Sequence, residues 1–342
     1  MRLSVLDQSP VSAGGAPADA VSETVQLAPA AERLGYHRYW VAEHHGSAGL
    51  AGTVPEILVA RIASATMSMR VGSGGVMLSH YSPFKVAETY RMIETLFPGR
   101  IDLGIGRAAG ADPLTALTLR NGIEPLAPDR YPSHVADLIG FLTGKLDADH
   151  PFAGFSAMPS GDGVPEIWLL GSSDQSAQLA AYVGLVFSFA QFINEGDAGV
   201  MEAYRQCFRP SPRCRAASAS VAVFVICADS EAEALRLEAN RNLWHLRSRQ
   251  EGELPPFPSA ADALSYAYTE ADRAQIERSR RQNVVGAPEQ VKARLGEIAR
   301  AYGVDELVIV TICHDFGTRL RSYELLAEAF GITKRTERGE SR

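Results

Sequence analysis

The chain has 342 residues, of which 46% are hydrophobic and 21% are charged, and its formal net charge at pH 7 is −7. These proportions lie close to the averages of globular proteins and exclude a disordered or collagen-like chain. The negative charge, with no basic run longer than that of residues 278–281, argues against nucleic acid or an anionic membrane as the main partner. We therefore expect a small molecule as the partner.

The beginning of the chain and its cysteines predict a cytoplasmic location. The first residues show no basic segment followed by a long apolar run and a cleavage site. No apolar run approaches the ~20 residues that a membrane-spanning helix requires. The spacing of Cys207, Cys214, Cys227 and Cys313 fits neither a CxxC pair nor a zinc site, so we expect unpaired thiols in a reducing compartment and no metal.

Short aliphatic or β-branched runs recur along the chain, and helical segments separate nearly all of them. Most of these runs are continuously apolar, as in parallel strands that are covered on both faces. Eight such repeats predict a closed (β/α)8 TIM barrel of α/β class over residues 1–332, as one domain. The predicted strands are Leu3–Leu6, Arg38–Ala42, Arg70–Met77, Ile101–Ile105, Glu166–Leu170, Leu185–Ser188, Ser220–Cys227 and Glu306–Val310.

The first helix is predicted to start at Asp19 or Ser22 and to end at Gly35, with a kink or a split near Ala28 because Pro29 lies inside the pattern. Two stretches, 106–132 and 247–284, are too long for a minimal repeat and predict insertions on the face that carries the chemistry. Residues 333–342 are polar and predict a frayed tail. The later helices are predicted at Phe84–Leu96, Ser176–Tyr182, Ser230–Leu246, Pro288–Tyr302 and Thr318–Phe330.

The second predicted strand leads into the sequence Glu43-His44-His45. Side chains alternate between the two faces of a strand, so one of the two histidines is expected to enter the barrel mouth. A metal site is disfavoured because the histidines lack the one-turn spacing of zinc proteases. An acid, a base or a cofactor contact at this position is favoured over a buried structural histidine.

Glycines interrupt the third and fourth predicted strands. Gly72, Gly74 and Gly75 weaken a central strand unless another group must approach its backbone, and a planar ligand or a bulge explains them equally well. Gly104-x-Gly106 lacks the third glycine of a dinucleotide motif.

The ends of the fourth and fifth predicted strands carry the features of an anion site. Arg107 follows two glycines, and its guanidinium group is suited to bidentate contact with phosphate. Gly171-Ser172-Ser173 leads directly into a helix that contains Ser176. Backbone N–H groups and hydroxyls at a helix start provide a phosphate site, although Ser172 or Ser173 could simply cap the helix.

In their order, several segments resemble the bacterial luciferase-like flavin monooxygenases, over about residues 1–331. The resemblance implies that the protein binds a cofactor and that Gln191 and Met77 are among the residues that bind it. The segments that carry it are Leu3-Ser-Val-Leu-Asp-Gln-Ser-Pro10, Trp40-Val-Ala-Glu-His-His45, Gly74-Gly-Val-Met-Leu78, Arg100-Ile-Asp-Leu-Gly-Ile-Gly-Arg107, Gly171-Ser-Ser173 and Val285-Gly-Ala-Pro-Glu289.

The resemblance implies a barrel whose mouth holds reduced FMN. The flavin ring would lie against Gly74 and Gly75, which relatives join by a cis peptide, and His44 would transfer a proton beside it at an imidazole pKa near the ordinary value. The phosphate would lie near Arg107 and the serines. The cofactor-binding residues are thus Gly74, Gly75, Met77, Arg107, Gly171, Ser172, Ser173, Ser176 and Gln191.

The implied reaction is oxygenation of an organic small molecule by O₂ through a C4a-peroxyflavin. The chain has no nicotinamide motif of its own, so a separate NAD(P)H:flavin reductase would supply FMNH₂ in a two-component system. A homodimer is expected from the family. Ala108-Ala-Gly-Ala111 and Gln191 stand where light-emitting relatives have aromatic residues, which argues against light emission and favours the oxygenases of antibiotic biosynthesis, including those that act on aromatic polyketides such as mensacarcin.

Three other functions are compatible with the sequence. A deazaflavin (F420)-dependent oxidoreductase would use the same barrel for hydride transfer. A non-catalytic barrel subunit would bind flavin without turnover. A metal-dependent hydrolase would use His44, His45 and Asp102, and it has the weakest support.

Overall fold

A computed structural model describes residues 1–108, 110–122, 130–194, 196 and 198–332. The predicted tail, 333–342, lies outside the described residues, as do Ala109 and 123–129 of the first predicted insertion. Within the described ranges, nine parallel strands form one sheet: β1 (Arg2–Asp7), β2 (Arg38–Val41), β3 (Arg70–Met77), β4 (Ile101–Gly106), β5 (Glu166–Gly171), β6 (Val186–Ala190), β7 (Ala219–Cys227), β8 (Asn283–Gly286) and β9 (Glu306–Val310).

The sheet closes on itself and confirms the predicted (β/α)8 barrel. Strands β1 to β6 pair in chain order, β6 pairs with β7, and β9 closes the ring between β7 and β1. The sequence prediction missed β8. This strand extends the same edge of β7 that β6 occupies, because β6 pairs with the first part of β7 and β8 with Phe224–Cys227.

Helices connect the strands and cover the outer face of the barrel. None of the helices in the described residues is long and apolar enough to cross a membrane. The helices are α1 (Pro17–Leu34), α2 (Pro55–Ala65), α3 (Pro83–Leu96), α4 (Pro113–Leu119), α5 (Tyr131–Thr143), α6 (Asp174–Val183), α7 (Gly199–Cys207), α8 (Glu231–Glu251), α9 (Ala260–Ser265), α10 (Glu270–Arg280), α11 (Pro288–Tyr302) and α12 (Phe316–Phe330), with a 3₁₀ turn at Leu78–His80.

The structure corrects the prediction for the first helix. The helix α1 begins at Pro17 after Ala16, and Asp19 accepts a hydrogen bond from the Ala16 backbone N–H rather than starting the helix. It continues through Pro29 without being split and ends at Gly35, whose φ of 92° is left-handed. The glycine stop was therefore predicted correctly, because this conformation is costly for residues with a Cβ.

The long stretch before β9 is largely helical. The helix α8 extends to Glu251, well past the predicted end at Leu246, and α9, α10 and β8 occupy most of 252–286. This part of the chain reaches the loops that follow β1 and β2. Phe257 is buried and bridges to Ser12, and the Trp244 indole N–H donates to the carbonyl of Pro255 over 2.6 Å. The assignment of residues 1–332 to one domain stays a prediction.

Five charged side chains fill the amino-terminal end of the barrel interior, and we call them the base cluster: Arg38, Arg70, Asp102, Glu166 and Glu306. Arg38 donates to Asp102 and to Glu306, each over 2.6 Å. Arg70 donates from Nε to Asp102 over 2.8 Å and lies 3.1 Å from Glu166. Burial opposes the charge of Arg38, but the carboxylates of Asp102 and Glu306 outweigh it and raise its pKa.

Two tryptophans fill the next layer of the interior. The rings of Trp40 and Trp168 meet edge to face, with centroids 5.0 Å apart. The Trp40 indole N–H donates to Asp102 over 2.9 Å, and the Arg38 guanidinium lies 4.5 Å from the Trp168 ring centroid. The base cluster and the aromatic layer therefore hold each other in place.

Glycines bring β3 and β4 together above this layer. A Cβ on Gly104 would overlap the carbonyl oxygen of Ser73, and a Cβ on Gly75 would lie 2.7 Å from the carbonyl oxygen of Gly104. The register between the two strands shifts between Ser73 and Val76. The close packing of β3 against β4 and the bulge between Ser73 and Val76 therefore explain why glycines occupy these positions in the two strands.

We predict that Gly104→Ala destabilises the protein by roughly 1–3 kcal/mol, because the added methyl overlaps the β3 backbone. Gly106→Ala, on the same strand, is the matched control, since a Cβ there meets nothing within 4 Å. Urea denaturation of both variants measures the difference. Equal stabilities would show that the close approach of the strands does not require Gly104.

Candidate active site at the barrel mouth

A cavity of about 240 Å³ opens at the carboxyl ends of the strands, and we call it the mouth cavity. Leu6, Trp40, Ala222 and Val308 contribute to it from the barrel interior. Eight of the predicted site residues line it: Gly74, Gly75, Met77, Arg107, Gly171, Ser172, Ser173 and Ser176. His44 and Gln191 are not among its lining residues.

The volume of the mouth cavity limits what it can enclose. Cavities that bury an organic ligand measure ~300–1,000 Å³. The mouth cavity therefore encloses part of a ligand of that size, and the remainder lies over the mouth. The position is the one at which (β/α)8 barrels carry their chemistry.

A larger cavity, of about 810 Å³, lies at the opposite end of the barrel. Its wall includes Arg70, Arg91, Glu166 and Arg213. The amino-terminal end of a (β/α)8 barrel contributes to stability rather than to catalysis. We therefore place the candidate active site at the mouth cavity.

The start of α6 forms one side of the mouth cavity. Ser173 caps this helix, and its side chain accepts from the Ser176 backbone N–H over 3.4 Å, while the Ser176 hydroxyl donates to the Ser173 carbonyl over 2.6 Å. A Cβ on Gly171 would overlap the Ser176 side chain, so the turn before the helix requires glycine. Of the two serines that the sequence offered as the cap, Ser173 fulfils this function. The helix start still presents backbone N–H groups to the cavity.

Arg107 provides the positive charge beside this helix start. Its side chain is exposed and donates from Nη1 to Gln175 Oε1 over 3.2 Å, within the first turn of α6. No ion pair of Arg107 with a described residue is present. A cation, a helix amino terminus and two serine hydroxyls thus meet at one side of the cavity, a combination suited to a phosphate or another anion.

The expected cis peptide between Gly74 and Gly75 is present. Both residues line the cavity. A Cβ on Gly74 would lie 2.6 Å from Leu6 Cδ1 and 3.0 Å from Trp40 Cβ. The side chains of Leu6 and Trp40 therefore pack directly against Gly74 and leave no room for a Cβ there.

Glu43 is buried and connects three segments around the mouth. It lies 2.7 Å from His45 Nε2, accepts from the Tyr81 hydroxyl over 2.6 Å, and accepts from the backbone N–H of Met77 over 3.0 Å. Burial, then Glu43, raises the pKa of Tyr81. Tyr81 could not be predicted from the sequence as a hydrogen-bond partner of Glu43. The two residues meet only because the connection between β3 and α3 folds back towards Glu43.

His44 lies next to Glu43 in the segment that follows β2. Its backbone N–H donates to the Gly52 carbonyl over 2.8 Å, and its Nδ1 is enclosed without a hydrogen-bond partner. Burial lowers its pKa to about 4, with His45 acting in the same direction and Glu43 against it. The predicted ordinary pKa is therefore wrong: His44 is neutral at pH 7 and has little tendency to bind a proton.

Gln191 follows β6 and is buried, and its Oε1 atom has no hydrogen-bond partner. The next two residues, Phe192 and Ile193, line the mouth cavity. The aromatic side chain of Phe192 therefore lines the mouth cavity one position after Gln191.

The structure contradicts the hydrolase alternative. Asp102 lies in the base cluster and binds Arg38, Arg70 and Trp40, at the end of the barrel opposite the mouth. His45 is engaged by Glu43. Within the described residues, no group of three or more histidine, cysteine or acidic side chains is arranged to hold a metal ion.

Comparison with known proteins identifies the family. The model of the luciferase-like monooxygenases matches residues 1–306. The chain is 46% identical over 329 residues to Bacillus subtilis protein YwcH, covering 96% of this chain and 98% of that protein. It is 35% identical over 343 residues to the N-acetyl-S-alkylcysteine monooxygenase of the same organism, covering 98% and 100%.

Solved structures agree with this result. Apo-MsnO8 superposes with a TM-score of 0.86 at 39% identity, covering 98% of this chain and 99% of that one. The family match and the monooxygenase relatives support an oxidoreductase. The chain belongs to the luciferase-like monooxygenase family.

More distant structures share the fold alone. The oxygenating constituent of 3,6-diketocamphane monooxygenase from Pseudomonas putida, in complex with FMN, superposes with a TM-score of 0.69 at 18% identity, covering 96% of this chain and 97% of that one. An F420-dependent secondary alcohol dehydrogenase in complex with an F420-acetone adduct superposes with a TM-score of 0.66 at 14% identity, covering 97% and 99%. The same barrel thus accommodates two types of cofactor.

We predict that His44 makes the protein less stable at acidic pH. Its pKa is about 4 in the folded protein and near the ordinary 6.5 when unfolded, so its stabilising contribution is present above pH 6.5 and is lost as the pH falls towards 4. At pH 5 the loss is about 2 kcal/mol.

Urea denaturation of wild type and His44→Asn between pH 4 and pH 8 tests this prediction. The wild type should lose stability more steeply than the variant below pH 6.5. His45→Asn is the control, because it makes the same substitution at the neighbouring histidine. Parallel curves for wild type and His44→Asn would show that His44 is not protected from protonation.

Proposed function

We propose that the protein is an FMN-dependent monooxygenase of two components, which uses FMNH₂ and O₂ to oxygenate an organic small molecule. One observation carries the proposal: a helix amino terminus, two serines and Arg107, which makes no ion pair with a described residue, line the same cavity as Gly74 and Gly75. The family and its monooxygenase relatives support it.

The residues present fit FMN. Arg107, Ser173, Ser176 and the first N–H groups of α6 would hold the phosphate, because a doubly charged anion is stabilised by a cation and a helix start. Gly74 and Gly75 would face the ring, since neither carries a side chain that blocks it. When bound in its reduced form, FMN supplies the electrons that activate O₂.

The protein's own contribution is orientation and exclusion of water. Leu6, Trp40 and Val308 form an apolar floor beneath the mouth cavity. Burial lowers the pKa of His44 to about 4, so the ring is neutral and holds a proton at one nitrogen only. In this proposal His44 positions a proton and does not carry a positive charge.

The proposal includes a separate NAD(P)H:flavin reductase and a homodimer. On α3, Met92 and Leu96 are exposed, whereas Val86 and Ile93 pack against the barrel. Ile57 on the neighbouring helix α2 is exposed as well. This apolar face supports pairing of two chains through α2 and α3.

The substrate class within this proposal is broad. Ala108 is small and lines the mouth cavity beside Gly106. An open wall of this kind admits a polycyclic compound, so an aromatic polyketide of antibiotic biosynthesis stays within the proposal.

We predict that Arg107→Gln weakens FMN binding by at least ~10-fold, because one charge-assisted contact to the phosphate is lost. Riboflavin lacks the phosphate, so its affinity should change by less than ~2-fold. Quenching of flavin fluorescence measures both affinities. Arg294→Gln, an exposed arginine on α11, is the control with the same change of charge.

An equal loss of affinity for FMN and riboflavin would contradict the placement of the phosphate at Arg107. Titration with F420 under the same conditions tests the alternative cofactor: tighter binding of F420 than of FMN or FMNH₂ would overturn the proposal in favour of hydride transfer. Oxygen consumption with a flavin reductase, NADH and candidate substrates separates an enzyme from a subunit that only binds flavin.

A further inference from the structure

Arg241 lies on α8, where this helix packs against the carboxyl end of β7. Ala222 of β7 lines the mouth cavity, and Phe224 is the next residue of that strand on the same face. The guanidinium carbon of Arg241 lies 3.9 Å from the centroid of the Phe224 ring. Arg241 therefore lies one side chain beyond the wall of the mouth cavity.

Arg241 differs from the other buried arginines. Four arginines in the described residues are at most 5% exposed. Arg38 binds two carboxylates, Arg319 pairs with Asp7, and Arg91 donates to the carbonyls of Leu142, Pro159 and Gly161. The side chain of Arg241 makes no hydrogen bond and no ion pair with a described residue.

The charge of Glu238 acts to raise the pKa of Arg241, but Glu238 makes no ion pair with it. Glu238 lies one turn earlier on α8, and both of its oxygens are engaged, one by Arg280 over 3.0 Å and the other by Asn283 over 3.1 Å. His245 lies one turn later, and burial, with Arg241 and Arg249, lowers its pKa to about 3, so its ring is neutral at pH 7 and is not a counter-charge to Arg241. Burial also lowers the pKa of Arg241 to about 10 and leaves it charged at pH 7.

A buried cation without an anionic partner is unfavourable, because its lost hydration is replaced only by the face of one aromatic ring. The nitrogens of Arg241 are not among the fully enclosed polar atoms that lack partners, so the small exposed part of the side chain includes them. A planar guanidinium group in that position can bind a carboxylate or a sulfonate through two parallel hydrogen bonds.

We propose that Arg241 is a substrate-binding residue that receives an oxyanion, a carboxylate or a sulfonate, of the molecule to be oxygenated. The inference rests on the proposed function, since it places the substrate on the β7 side of the mouth and the flavin phosphate on the α6 side. It narrows the substrate class to anionic organic molecules.

Calorimetric titration with benzoate, benzenesulfonate and neutral benzamide, with FMN at saturation, tests the inference. Benzoate or benzenesulfonate should bind to the wild type and lose ~30-fold or more in affinity in Arg241→Gln. Benzamide should bind the two proteins equally. The preference between the two anions identifies the oxyanion.

Arg249→Gln is the matched control, because Arg249 is exposed on the same helix and the change of charge is the same. Arg241→Lys keeps the charge without the planar fork and should show intermediate affinity, which preserves the test if Arg241→Gln fails to fold. Equal binding of the anions to wild type and Arg241→Gln, or no binding to the wild type, would overturn the inference. If the inference fails but FMN binds with normal affinity, the proposed function is not affected. If the anions bind to Arg241 but FMN does not bind, the proposed function is contradicted and the anion site is not.

Discussion

The ion pairs of Arg38 at the base of the barrel are the constraint on which the mouth depends. Arg38 joins Asp102 of β4 to Glu306 of β9, and Asp102 in turn accepts from Trp40, whose ring lies in the floor of the mouth cavity. Removal of one partner of a buried ion pair leaves a charge without compensation and typically costs about 3–5 kcal/mol. The shape of the site is therefore determined at the opposite end of the barrel by charges that take no part in its chemistry.

Most of the barrel could be predicted from the sequence, because its strands are continuous apolar runs and helical patterns lie between them. The strand β8 was missed since Asn283–Gly286 is short, begins with a polar residue and only extends an edge of β7. The uninterrupted course of α1 through Pro29 was missed for another reason: packing of the helix on the barrel outweighs the local cost of the proline.

The candidate site was predictable where its residues stand in motifs at strand ends, as with Arg107 and Ser173. The positions of His44 and Gln191 relative to the mouth cavity were not, since both depend on the course of the chain after a strand has ended. Tyr81 and Arg241 were out of reach for the same reason. No sequence motif near Tyr81 indicates that it binds Glu43. Arg241 differs from the other buried arginines only in having no ion-pair or hydrogen-bond partner for its side chain among the described residues, which a sequence does not show.

The burial of the cysteines has a consequence for the reaction with oxygen that we propose. Burial raises the pKa of Cys227 and of Cys313 to about 12 and also raises that of Cys214. A thiol reacts with hydrogen peroxide through its thiolate form. Peroxide released during unproductive turnover would therefore find three of the four sulfur atoms protonated and covered, and damage would fall on Cys207 at the surface.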